Sequence, residues 1–199
     1  MKYIKKLTTP QFFINDTNSL TTWSEYHSTK KRRLKKHILE EEQCHLCCYC
    51  EKEVTIDKSS SHIEHIKPKS IDLLNLTFDY NNILVSCEGN HFNEIGDNSK
   101  NTCGHIKDNN FEEDKFLNPT LLDDVQDYFS FDADTGKIGD IGKNSVKANY
   151  SIRILNLNGK NDKLAEARLT AKNALIKNFS PLPIERKKSL LKSLLNNPT

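Results

Sequence analysis

Leu20, Trp23, His27, Leu34 and Ile38 fall at helical spacing, and Lys30 to Lys36 fill the remaining faces. The pattern predicts an amphipathic, basic helix over about 20–43. A cysteine cluster follows, then a short strand at about 61–66 that Pro68 ends, a loop, and a second strand at about 82–87. Residues 88–102 are rich in Asn, Gly and Ser, the composition of a loop. A short helix is predicted from near Cys103 and carries His105. Leu117-Asn118-Pro119 breaks the chain into an acidic segment. There Tyr128 to Phe131 and Gly136 to Ile138 flank Asp134-Thr135 as a hairpin, and Leu157-Asn158-Gly159 closes that part. Leu164, Ala167, Ala171, Leu175 and Phe179 predict a helix over about 162–178. A last helix starts after Ser180-Pro181, with Leu190, Leu191, Leu194 and Leu195 on one side. Both stripes read as core rather than interface.

The chain has 199 residues, enough for one domain or a small core with a satellite. A mean hydropathy of −0.67 and the absence of any run of about 18 apolar residues predict a soluble protein with no membrane span. The basic N-terminus lacks an apolar segment behind it, so no secretory signal is expected. Four of the six cysteines crowd into 44–50, which suits metal binding better than a disulfide framework and points to a reducing cytoplasm. The net charge of +2 hides a polarity. Residues 1–40 carry nine Lys/Arg against three Asp/Glu, and residues 111–140 carry nine Asp/Glu against two Lys. A polyanion is drawn to the first region and repelled by the second. The basic helix is open to two readings, a solvated face or a phosphate contact.

The candidate chemistry lies between. Cys47 and Cys50 stand in C-x₂-C spacing, Cys87 follows a strand and Cys103 opens a helix. Four such thiolates suit a structural Zn²⁺. Cys44 stands in the same spacing with Cys47, so spacing alone leaves the pair open. Phosphodiester hydrolysis needs a base, a cation on the phosphate and stabilisation of the leaving oxygen. His65 is the candidate base, because neutral imidazole can take a proton from water near neutral pH. Glu64 offers the hard oxygen a divalent ion takes. Neighbouring strand residues face opposite ways, so the strand must end or twist at His65 for both to serve one site. His105 is the second candidate ligand. Asn82 is placed to hold the histidine in orientation through its amide.

Cys47-Cys48-Tyr49-Cys50-Glu51, Ile63-Glu64-His65, Asn82 and Cys103-Gly104-His105, in that order, resemble the HNH (ββα-metal) endonucleases. The set is most similar to the HNH subunit of bacterial Septu and retron defence systems. Glu42-Gln43, His62 to Ser70, Leu117 to Thr120, Tyr128-Phe129, and Ile154 to Asn158 with Arg168 look like further landmarks, so the resemblance covers most of the chain. It implies an α+β fold: a ββα-metal core at 44–110 with a four-cysteine zinc knuckle, a basic N-terminal helical arm at 1–43, and a mainly helical, acidic part at 111–199 suited to docking a partner. It selects Cys47, Cys50, Cys87 and Cys103 for zinc. It carries catalysis to His65, Asn82, Glu64 and His105, with Glu64 and His105 on a catalytic Mg²⁺ or Mn²⁺. It also implies nucleic acid, DNA or RNA, as substrate, an ATPase subunit as partner in antiphage defence, and a bacterial cytoplasm.

Two positions depart from the pattern. Gly104 separates Cys103 from His105, which makes His91 in the loop a rival ligand, and Asn81 is a rival for Asn82. His62 shares a strand face with Glu64 and either lines the cleft or caps it. The competing class is a non-catalytic zinc-knuckle module that binds nucleic acid or protein, which a metal-dependent cleavage assay separates from the enzyme.

Overall fold

A computed structural model describes residues 1–89, 102–122, 124–159 and 162–196. The fold is α+β, helices around two small antiparallel sheets. Helix α1 (Gln11–Thr17) precedes α2 (Ser28–Glu41), and strand β1 (Ser61–His65) precedes α3 (Leu73–Leu76) and β2 (Ile83–Cys87). Helix α4 (Cys103–Lys107) leads into the hairpin β3 (Phe129–Phe131) and β4 (Ile138–Asp140). Helices α5 (Ser145–Ile154), α6 (Lys163–Phe179) and α7 (Ile184–Asn196) end the described chain. No helix among the described residues is long and apolar enough to cross a membrane.

The helix predicted over 20–43 begins only at Ser28. Glu25 explains the difference. Its carboxylate accepts from the backbone N–H of Thr21 (2.8 Å) and Thr22 (2.9 Å), folding 21–25 into a turn. The backbone N–H of Thr29 donates to the ring of His27, which caps α2. Local side-chain bonds of this kind compete with helix. The turn frees Trp23 from the helical stripe and lets it face β1.

Strand β1 pairs with β2 from Ser61↔Cys87 to His65↔Ile83. Every residue of β2 is buried, and Leu34, Ile38 and Leu39 of α2 bury against this pair. The free edge of β2 is closed by a side chain acting as a strand: Gln43 donates to the Val85 carbonyl and accepts from the Val85 N–H, both at 2.8 Å. Lys35 of α2 reaches under the sheet and donates to the Ser61 carbonyl at 2.7 Å. The apolar core runs from Met1 to Leu157.

The C-terminal landmarks are wiring. Asn158 accepts from the Ile138 N–H (2.8 Å) and donates to its carbonyl (3.2 Å), and Arg168 donates to the Leu157 carbonyl at 2.5 Å. Gly136, at φ +70, turns the hairpin so close to α6 that a Cβ would lie 2.2 Å from the Ala165 carbonyl oxygen. The stripe predicted as core is buried only at its start. Leu164 is buried, whereas Ala171, Leu175 and Ile176 are exposed, as is Ile184 of α7. Beyond Leu164 and Ala165 the helix is only partly covered, although Lys172 still donates to the Ala133 carbonyl of the hairpin.

Candidate functional site

Two features lie against the β1–β2 pair, one at its Ser61↔Cys87 end and one along β1 as far as His65. The first is sulfur. Cys47 and Cys50 come from a turn in which Cys44, His45 and Glu51 adopt positive φ, Cys87 ends β2, and Cys103 opens α4. The four sulfur atoms lie within 4.8 Å of one another. With Zn–S bonds of about 2.3 Å, tetrahedral corners stand about 3.8 Å apart. Cys50 Sγ and Cys87 Sγ are 3.8 Å apart, so the donor set fits that ion. The backbone N–H of Cys87 donates to Cys47 Sγ at 3.2 Å, a bond that favours thiolate. Burial pushes the Cys47 thiol up, but hydrogen bonds from Cys103, Cys48, Cys50 and Cys87 outweigh it and hold the group well below the ordinary thiol range. Cys44 and Cys48 stay outside the quartet. Cys44 is exposed, and Cys48 is buried with its thiol pushed well up.

The second feature is a cleft lined by His62, Glu64, His65, Lys69, Gly104 and His105. Strand β1 ends at His65, as the shared use of Glu64 and His65 requires. The His65 ring is buried, edge-on to Trp23 at 4.6 Å, with Nε2 3.0 Å from the Thr77 carbonyl. A carbonyl only accepts, so in the neutral ring Nε2 carries the proton and Nδ1 keeps the basic lone pair. Burial, then the Lys69 ammonium, pushes the His65 pKa down to about 4. Asn82 ends a tight turn before β2. Its Oδ1 accepts from the Lys67 N–H at 2.8 Å, and its Nδ2 donates to the carbonyls of Lys67 (3.0 Å) and Leu76 (3.3 Å). It therefore clamps the chain just past His65 to the chain before β2. Its rival Asn81 is exposed.

Glu64 is buried and well partnered. Tyr49 Oη donates to Oε1 at 3.0 Å, and the buried Lys107 ammonium lies 2.9 Å from the same oxygen. Burial pushes this carboxyl up, but His62 and Lys107 overcome it and hold it below its ordinary value. Lys107 also donates to the His65 carbonyl at 3.2 Å. His105, on α4, lies with Nε2 2.9 Å from Glu88 Oε2. His91 lies outside the described residues. Sequence reasoning passes over Trp23, Glu88 and Lys107 as site residues. Lys107 carries no signal in the pattern, since a lysine after His105 looks solvated until burial is seen.

The His65 shift predicts a pH dependence. The unfolded imidazole takes up a proton near pH 6.5 and the folded one only near 4, so stability falls as pH drops through that window. The loss approaches on the order of 3 kcal/mol at its acid end. Urea unfolding of the parent and of His65→Asn at pH 7 and pH 5 measures it: the parent should lose more stability than the variant. An equal loss in both would mean that His65 titrates normally.

No family model matches the chain. It is 32% identical over 163 residues to "Retron Ec83 putative HNH endonuclease" of Escherichia coli, a match covering 69% of this chain and 61% of that protein. It is 39% identical over 114 residues to "Retron Vc95 putative HNH endonuclease" of Vibrio cholerae serotype O1 biovar El Tor, covering 56% of this chain and 49% of that one. The chain thus spans about three fifths and about half of the curated relatives it matches. Both of these relatives bear the name of a retron "putative HNH endonuclease".

Proposed function

We propose that this protein is a metal-dependent HNH endonuclease that hydrolyses nucleic acid phosphodiester bonds. We assign it as the effector nuclease of a bacterial antiphage system, working in the cytoplasm with an ATPase partner. One observation supports the reading: β1 and α4 contribute His65 and His105 to one cleft beside a four-cysteine group, and Asn82, outside that cleft, clamps the chain just past His65. In this reading 44–110 is the ββα-metal core and its cysteines hold structural zinc.

His65 Nδ1 takes the proton of the attacking water. Thr77 and Trp23 hold the ring so that Nδ1 is the free nitrogen. Asn82 fixes the backbone on which His65 stands, and Lys107 neutralises Glu64 beneath it. His105 would help hold a divalent ion, Mg²⁺ or Mn²⁺, with Glu64 supporting that site from behind His62, and such an ion would polarise the phosphate and stabilise the leaving oxygen. Beside this cleft a groove of about 870 Å³ is lined by Trp23, Lys31, Arg32 and Lys58 together with Glu25, Asp57 and Glu88; those three cations offer contacts to a phosphate backbone. The exposed Leu175, Ile176 and Ile184 support partner docking through 111–199.

The test is incubation of the purified protein, alone and with its co-purified partner, with plasmid and with tRNA, in Mg²⁺, Mn²⁺ or EDTA. Products that appear only with a divalent ion are expected. Binding without cleavage, with the partner present, would identify a zinc-knuckle binding module instead.

A further inference from the structure

His62, Glu88 and His105 offer one donor atom each within 4.8 Å of one another, and Glu64 does not join them. Glu88 stands between the two imidazoles. Its Oε1 is 3.3 Å from His62 Nδ1 and its Oε2 is 2.9 Å from His105 Nε2, and the rings lie 3.9 Å apart by centroid. His62 Nδ1 is shut away from solvent yet makes no hydrogen bond of acceptable geometry. A buried imidazole nitrogen without a bond is costly, and a cation satisfies it. On the other side of that ring, Nε2 faces Glu64 Oε2 at 3.6 Å.

The backbone holds these donors in place from the sulfur side. Glu88 directly follows Cys87, and its N–H continues the β1–β2 ladder by donating to the Ser60 carbonyl at 3.1 Å. His105 is two residues past Cys103. Gly104 between them leaves the room: a Cβ there would fall 2.7 Å from His62 Nε2 and 2.5 Å from Glu64 Oε2. A side chain at 104 would therefore have to push aside His62 or Glu64.

We propose that His62, Glu88 and His105 bind a divalent first-row transition ion, with Glu64 behind His62 as the carboxylate that fixes its tautomer. Two imidazoles and one carboxylate suit Mn²⁺ and its heavier neighbours better than Mg²⁺, which takes oxygen and holds its water. Glu64, already paired with Lys107 and Tyr49, acts on the ion through His62; a carboxylate on the far nitrogen of a ligating histidine is the usual outer-shell arrangement. The ion's part in catalysis rests on the nuclease reading, whereas the site itself rests on the donors.

The experiment is Mn²⁺ titration of the zinc-loaded full chain, read by electron paramagnetic resonance, with zinc content and melting temperature measured alongside. The parent should bind one Mn²⁺ whose pulsed spectrum shows coupling to histidine nitrogen, and excess Mg²⁺ should compete poorly. Glu88→Gln and His62→Gln should each weaken binding at least tenfold at unchanged zinc content. Glu64→Gln should weaken it less than either. No nitrogen coupling in the parent, or binding lost in Glu64→Gln and kept in Glu88→Gln, overturns the proposal without recourse to any variant's activity. Cleavage is scored separately: Mn²⁺ bound as expected but no products on any nucleic acid would sink the nuclease reading and leave the site standing.

Discussion

His65→Ala is expected to lower phosphodiester cleavage by about 10²–10⁴-fold, the span that a positioned general base contributes. The fold should survive. The ring gives up one hydrogen bond, to the Thr77 carbonyl, and one edge contact, to Trp23. Against that loss, removing an imidazole whose pKa burial depresses to about 4 removes a group that penalises folding in mild acid. Zinc content should be unchanged, because no thiolate of the quartet depends on this side chain. Asn82→Ala provides the contrast. Its amide makes three bonds across Lys67 and Leu76, so its loss should reduce stability by about 1–3 kcal/mol and cleavage less than His65→Ala does. Both variants should be assayed alone and with the proposed partner present. If His65→Ala cuts as fast as the parent, the base lies elsewhere and the assignment of the cleft fails with it.

What can be read from the sequence is what local spacing controls. The C-x₂-C turn, the strand that stops before Pro68, the hairpin around Asp134-Thr135 and the short helix at Cys103 each announce themselves within a few residues. The parts that escape are set by tertiary contact. Trp23 reads as a helix stripe residue, and only the bonds from Thr21 and Thr22 to Glu25 turn it toward His65. Helices α1 and α5 are not predicted by the pattern. Both are short, and their capping positions are weak or hidden: Pro10 gives α1 no side-chain cap, and Asn144 sits in a run of Gly, Lys and Ser. Glu88 lies in a stretch whose composition says loop. Its value comes from being one residue past a cysteine whose position the other three cysteines fix. For α6, periodicity shows an apolar face correctly but cannot say whether anything covers it.

Those four cysteines carry the other large expected effect. Cys87→Ser or Cys103→Ala, or a strong chelator acting on the parent, should abolish cooperative unfolding near room temperature rather than merely lower the melting temperature. Structural zinc in small domains contributes on the order of 10 kcal/mol of binding free energy, comparable with the roughly 5–15 kcal/mol by which whole domains are stable. The geometry makes the dependence strong here. Cys103 sits at φ +60, a conformation that costs a non-glycine residue energy, and it is kept there by the quartet and by its N–H bond to the Leu155 carbonyl at 2.8 Å. Without an ion, four thiols, three of them buried, must crowd together, the strain at Cys103 loses its restraint, and α4 is freed from both β2 and α5. Gly104, whose N–H donates to Ser86 Oγ at 3.1 Å, would move with it and carry His105 away from His62 and Glu88. Cys44→Ser is the control, since that thiol is exposed and outside the quartet. Elemental analysis should find one zinc per chain in the parent and in Cys44→Ser, and none in Cys87→Ser. A zinc-free parent that melts cooperatively at the temperature of the untreated protein would show that packing alone holds the cysteines together.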